Sequence, residues 1–239
     1  MDTTVIEDEI SLDELLRMCR RRSELYGLLA RLYRVEVDEP LLTQMRTMRF
    51  PARTGNELLD RGYRKLTTYL SNVWENSLTE LAVDYTRTFL GGGLDAFSAA
   101  YPFESVYTSE KRLLMQEARD EVLAIYRAAG KDKDETWKEG EDHIALELEF
   151  VQVLIDRCIA ALEKGDEDSA LCLFDQQFSF VQRHLYSWFS MMASDMRKFA
   201  KTEFYQGLAD ITEGFLETDV LMLRQFDRSA EERGSSEGA

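Results

Sequence analysis

The sequence predicts an all-α protein, and three observations carry the prediction. Apolar residues recur at steps of three and four along most of the chain, which places them on one face of a helix. No stretch shows the strict alternation of a half-buried strand. The three prolines, Pro40, Pro51 and Pro102, lie outside the strongly periodic segments, so long helices can run unbroken.

Taken in order, helices are expected near 11–34, 39–48, 56–75, 78–90, 105–129, 142–164, 167–193, 195–203 and 204–218, about nine in all. The first begins at Ser11–Glu14 and the fourth near Ser77–Glu80, both with the spacing of a capping box, in which the serine oxygen takes a backbone N–H and the glutamate returns the bond. Leu59, Tyr63, Leu66, Leu70 and Val73 form the stripe of the third helix. Ile144, Leu148, Val151, Ile155, Cys158 and Leu162 form that of the sixth. Leu171, Phe174, Phe178, Val181, Leu185, Trp188 and Met192 follow, then Phe204, Leu208, Ile211 and Phe215. Gly130 and Gly165 suit helix ends, where a residue without Cβ turns left-handed. The segment 91–105, opened by three glycines, reads as a loop, and 131–141 as a polar connector. Residues 1–10 read as an acidic, flexible start, 11–228 as a single helical domain and 229–239 as a disordered tail.

The 239 residues are 44% hydrophobic and 31% charged, the balance of a soluble globular chain. Asp and Glu number 45 against 29 Lys and Arg, a net charge of -16, which argues against a nucleic-acid partner and favours a basic peptide. Cys19, Cys158 and Cys172 make an odd count without a C-x-x-C pair, so neither a disulfide framework nor a zinc cluster is expected; Cys158 and Cys172 fall in apolar patterns and read as buried thiols. No apolar run approaches the roughly 20 residues of a membrane span, and the acidic start is unlike a signal peptide. The expected compartment is the cytoplasm. The arginines of "CRRRSELYGLLARLY" precede leucines as in an export signal, but Glu24 and Arg31 interrupt the apolar run, which reads as an amphipathic helix.

Only two histidines occur. His143 lies in "KEGEDHIALELEF" among Glu139, Glu141, Asp142, Glu147 and Glu149. Neither His143 nor His184 has a glutamate three residues before it, so a helical di-iron site is not supported and no metal is expected. A G-x-S-x-G nucleophile elbow is absent, and the glycines at 91–93 lack the Lys-Ser/Thr of a phosphate loop. No catalytic residue and no cofactor is expected. The plainest reading of the stretch is a helix start, with Asp142 as the cap and acidic groups favoured by the helix dipole.

Four segments in order resemble one family. "DYTRTFLGG" (84–92), "YPFESVYTSEKRLLMQ" (101–116), "EGEDHIALELEF" (139–150) and the pair "RHLYSWFSMMASDM" and "FYQGLADITEGFLETD" are similar to signatures of the TorD/DmsD/NarJ redox-enzyme maturation chaperones, the TorD-like branch above all. The resemblance runs from about residue 20 to 220. It implies a TorD-like helical bundle, in some members exchanged between chains across the 131–141 connector, so that the molecule is a monomer or a swapped homodimer. It implies a non-enzymatic, cytoplasmic chaperone that holds the twin-arginine signal peptide and apo form of a molybdoenzyme of the DMSO-reductase type until the molybdenum cofactor is inserted. The alternative is a NarJ-like assembly factor for a reductase without an export signal. The signal-peptide residues it implies are Pro102, Phe103, Ser105, Tyr107, Asp142 and His143, to which the acidic helix start adds Glu139 and Glu147. Gly140 stands where the family's E-P-x-D-H segment has proline.

Overall fold

A computed structural model describes residues 10–91, 98–110, 112–131 and 137–226. The acidic start, residues 92–97 of the glycine loop, residues 132–136 of the connector and the tail lie outside the described residues. Ten α-helices and no named strand occur among the described residues: α1 Leu12–Arg34, α2 Glu39–Thr47, α3 Glu57–Ser71, α4 Ser77–Tyr85, α5 Glu104–Thr108, α6 Glu117–Ala128, α7 Ile144–Glu163, α8 Glu167–Val181, α9 Ser187–Phe199 and α10 Glu203–Leu223. One turn of π-helix, Thr86–Leu90, extends α4, and another, Gln182–Tyr186, joins α8 to α9.

Local chemistry accounts for most of the boundaries. Ser11 and Glu14 close the expected capping box on α1. Asp38, Asn56 and Asp166 cap α2, α3 and α8 by accepting N–H groups of Leu41, Leu59 and Ser169. Pro40 lies in the first turn of α2, where its missing N–H costs nothing. Gly130 and Gly165 follow α6 and α7 with φ of 69° and 71°. Ser77 departs from expectation. It lies inside α4 and its Oγ accepts the N–H of Trp74, while Glu80 accepts the Tyr69 hydroxyl, so no capping box forms there.

Helix α7 packs between α1 and α8, and α10 packs on α3, α8 and α9. All six stripe residues of α7, Ile144 to Leu162, are buried, as are Phe204, Leu208, Ile211 and Phe215 of α10. Cys158 is buried, but Cys172 is exposed, because its position on α8 turns away from α7. The α3–α10 seam needs glycine. A Cβ on Gly62 would lie 2.7 Å from the Ile211 amide nitrogen and 2.9 Å from the Gly207 carbonyl oxygen. Because backbone cannot yield as a side-chain tip can, Gly62→Ala should cost about 1–3 kcal/mol of stability, read from the midpoint of urea unfolding. An unchanged midpoint would mean that the seam is looser than these distances.

Three buried ion networks tie the bundle. Arg22 of α1 meets both oxygens of Asp219 on α10, at 2.6 and 2.9 Å. Asp210 of α10 accepts from Arg61 and Lys65 of α3 and Arg197 of α9; burial alone would raise its pKa, but these partners hold it at about 2. Asp84 of α4 accepts the N–H groups of Lys201 and Thr202 and the Thr202 hydroxyl, and so fixes the entry to α10.

Two expectations fail for tertiary reasons. The segment 105–129 is two helices, not one. Between them Gln116 N–H donates to Ser105 Oγ, Arg112 binds Asp195, and Arg112 and Met115 take left-handed φ of 52° and 56°. The stretch 167–199, expected to break near 194, instead runs on through the π-turn at 182–186, and the chain breaks at Ala200–Thr202 where Asp84 captures it.

Candidate functional site

The segments 101–107 and 139–147 meet. Ile144 N–H donates to the Pro102 carbonyl at 2.9 Å and Glu104 N–H to the Asp142 carbonyl at 3.0 Å, which brackets an isolated antiparallel bridge between Phe103 and His143. The bridge exists because neither segment is helical there: Phe103 and His143 both hold extended backbone immediately before a helix.

Its side chains are mostly inside the molecule. Asp142 is fully buried, and its Oδ2 accepts both the N–H and the hydroxyl of Ser105. Asp142 is not the cap of α7. That role falls to His143, whose Nδ1 accepts the Ala145 N–H at 3.1 Å. An accepting Nδ1 leaves the ring proton on Nε2. The ring lies edge-on to Phe103 and Trp137, each at 5.0 Å, and burial, with Arg34 nearby, lowers its pKa to about 3, so it is neutral. Pro102 and Phe103 are buried. Tyr107 is half-buried; it stacks on Trp188 at 5.5 Å and donates to Asp195. Glu139 is exposed. Gly140 is buried beside Phe103, and a Cβ there would stand 2.8 Å from Asp142 Oδ1.

Glu147 is the most perturbed member. It is fully buried, and burial, then the charges of Glu104 and Asp142, push its pKa far above the usual carboxyl range. Neither oxygen has a donor among the described residues, and the nearby Trp188 indole N–H is committed to the His184 carbonyl at 2.6 Å. A retained proton converts Glu147 from a second acceptor into a donor toward Glu104.

Two further residues belong here that sequence reasoning passed over. Glu104 is buried at the start of α5, and its Oε2 lies 3.1 Å from His184 Nδ1. His184 is in the π-turn, a distortion that often marks functional positions. The signal was present: a second histidine inside an apolar stripe, and a glutamate within "YPFESVY". Beside His184 an open groove of about 380 Å³ runs between α6, α7 and α8, lined by Ile125, Phe150, Leu154 and Phe180, with Arg183 at its edge. An open apolar surface therefore lies beside His184, whereas Pro102 and Phe103 of the 101–107 loop are themselves buried. Among the described residues no three of His, Cys, Asp and Glu are placed to hold a metal ion, and no helix is long and apolar enough to cross a membrane.

Residues 56–194 match the family model described as "Nitrate reductase delta subunit". The chain belongs to the nitrate reductase delta subunit family. The matched span of this family member holds both segments of the bridge, Glu104, Glu147 and His184. Over its fuller length the chain is similar to proteins named "Chaperone protein TorD". It is 28% identical to that of Vibrio parahaemolyticus, with 89% of this chain and 99% of the relative aligned. It is 29% identical to that of Aliivibrio fischeri, with 89% and 99% aligned, and 26% identical to one from Vibrio cholerae, with 87% and 94%. The expected resemblance to the NarJ/TorD family is thus met, and the helical fold with it.

Proposed function

We propose that this chain is a cytoplasmic redox-enzyme maturation chaperone that binds the twin-arginine signal peptide and apo form of a molybdoenzyme of the DMSO-reductase type, and that it catalyses nothing. The observation that carries the reading is the bridge between Phe103 and His143, which joins the two segments with peptide-site character and leaves buried carboxyls beside an open apolar groove. A signal peptide places arginines ahead of an apolar stretch. Here the groove would take the apolar stretch and the acidic end would take the arginines, a helix or extended peptide lying in a cleft. The three relatives named as chaperones, aligned over nearly their whole lengths, support the same reading. A net charge of -16 draws a basic peptide toward any face of the molecule.

The test is calorimetric titration of a twin-arginine peptide against wild type, Asp142→Asn and His143→Ala, with thermal melts in parallel. Affinity should fall roughly ten- to a hundredfold in Asp142→Asn, the worth of a charge-assisted hydrogen bond. Unchanged affinity in both variants, with intact melts, would remove this site from the peptide's path. The NarJ-like reading, assembly of a reductase without an export signal, has the family description behind it. It predicts equal binding of a client segment in which the arginines have been replaced.

A further inference from the structure

The buried carboxyl groups of this protein divide into two kinds. Asp84, Glu141, Asp210 and Asp219 each have an arginine in contact: Arg87, Arg119, Arg61 with Arg197, and Arg22. Glu104, Asp142 and Glu147 are equally buried, at 4%, 0% and 0% exposure, and none of them has a lysine or arginine partner among the described residues. They come from α5, the loop before α7 and the first turn of α7, and the bridge gathers them in one place. Buried carboxylates are otherwise paired or neutralised, because desolvation penalises an isolated charge. Besides both oxygens of Glu147, Asp142 Oδ1 and His184 Nε2 have no hydrogen-bond partner among the described residues. Three acceptor atoms and no cation describe half of an ion pair.

We propose that Glu104, Asp142 and Glu147 form a concealed guanidinium site that an arginine side chain of the bound peptide enters. The proposal rests on the reading of this face as a peptide site and deepens it. Guanidinium fits better than ammonium because its planar fork offers five donors to acceptors spread over three segments. The site also lies at the His184 end of the apolar groove, so one peptide can fill both. Rearrangement of the rim must precede entry, and the stretch 112–116 is the part under backbone strain. Arg112 and Met115 are left-handed there, and the Gln116 N–H reaches Ser105 Oγ at 3.3 Å.

Occupancy changes the proton count. In the empty site Glu147 keeps its proton because burial penalises its charge and because Glu104 and Asp142 already face it. A guanidinium reverses that balance, and the O–H bond of Glu147 breaks. The other groups around it do not keep the proton. Tyr126 of α6 is a buried phenol, its hydroxyl on the Glu141 carbonyl. The His143 ring is held neutral by burial and Arg34. His184 of the π-turn has Glu104 on one nitrogen and Glu121 of α6 at 4.0 Å from the other. Trp188 of α9 accepts no proton. The proton therefore leaves to solvent, about one for each peptide bound.

The experiment is titration calorimetry at a series of pH values upward from about 5, each in buffers of different ionisation enthalpy, because Glu147 keeps its proton above the usual carboxyl range. The probe is a peptide with two consecutive arginines ahead of an apolar stretch, set against the same peptide with citrulline, which is isosteric and uncharged, at both positions. Wild type should release about one proton to the arginine peptide and none to the citrulline peptide, which should bind roughly tenfold or more weakly. Glu147→Gln should bind the arginine peptide without proton release, whereas Glu147→Asp, which keeps a carboxyl, should retain the release. Equal binding of the two peptides, or heats independent of buffer in wild type at every pH of the series, would overturn the guanidinium site and leave the peptide reading standing. No binding of either peptide would overturn both.

Discussion

Asp219→Ala should cost about 3–5 kcal/mol of folding stability, because it leaves a guanidinium inside the bundle without its counter-charge. Arg22 is 6% exposed and Asp219 2%. The pair is bidentate, with Arg22 Nε and Nη2 on the two carboxylate oxygens, and each member has a further partner. Arg22 Nη1 donates to Gln177 Oε1 at 2.7 Å, and the Tyr26 hydroxyl donates to Asp219 Oδ2 at 2.7 Å. Burial by itself would lower the Arg22 pKa, but Asp219 raises it above that of a free arginine, so the guanidinium stays charged at any working pH. The network joins α1, α8 and α10, which no short loop connects, so its loss frees whole helices. Urea unfolding of wild type and Asp219→Ala measures the cost. Arg22→Met combined with Asp219→Leu should recover most of it, since a buried pair replaced by apolar residues of similar volume is often neutral or stabilising. A loss below about 1 kcal/mol in the single variant would show that water reaches Arg22.

The free protein should lose stability as pH rises above about 5, and Glu147→Gln should abolish that component. Glu147 holds its proton in the fold well above the 4.5 of an unperturbed glutamate. Between 4.5 and the folded value, the native state binds a proton that the unfolded chain has released. Each pH unit in that window therefore removes up to about 1.4 kcal/mol, and above the folded value the loss is complete. His143 acts in the opposite sense. Its folded pKa of about 3 lies below the 6.5 of a free imidazole, so its contribution is full above 6.5 and is lost as pH falls toward 3. Unfolding free energies across this range, for wild type, Glu147→Gln and His143→Asn, separate the two. Asparagine keeps an acceptor for the Ala145 N–H, so that comparison isolates the proton from the cap. An identical alkaline slope in wild type and Glu147→Gln would mean that Glu147 is ionised in the fold.

The helices of this protein were legible in its sequence because what makes a helix is local. The three-and-four spacing of Ile144 to Leu162 and of Phe204 to Phe215, the Ser11–Glu14 box and the left-handed glycines Gly130 and Gly165 act over one or two turns, and each is found where the spacing places it. The resemblance of 101–116 and 139–150 to one family's signatures marked the two segments that the bridge joins. Periodicity names the apolar face of a helix but not what that face meets, and there the tertiary structure decided. It left Cys172 on the outside and set Ser77 within α4. It split 105–129 by drawing Ser105 to Asp142 and Arg112 to Asp195, against the propensity of a continuous helix. It made His143 the cap of α7 in place of Asp142, and put Asp142 and Glu147 out of reach of solvent. Glu104 and His184 are 80 residues apart in the chain, and no local pattern pairs them. The electrostatics of a buried group depend on distances to charges on other elements, and those distances are set only when the elements dock.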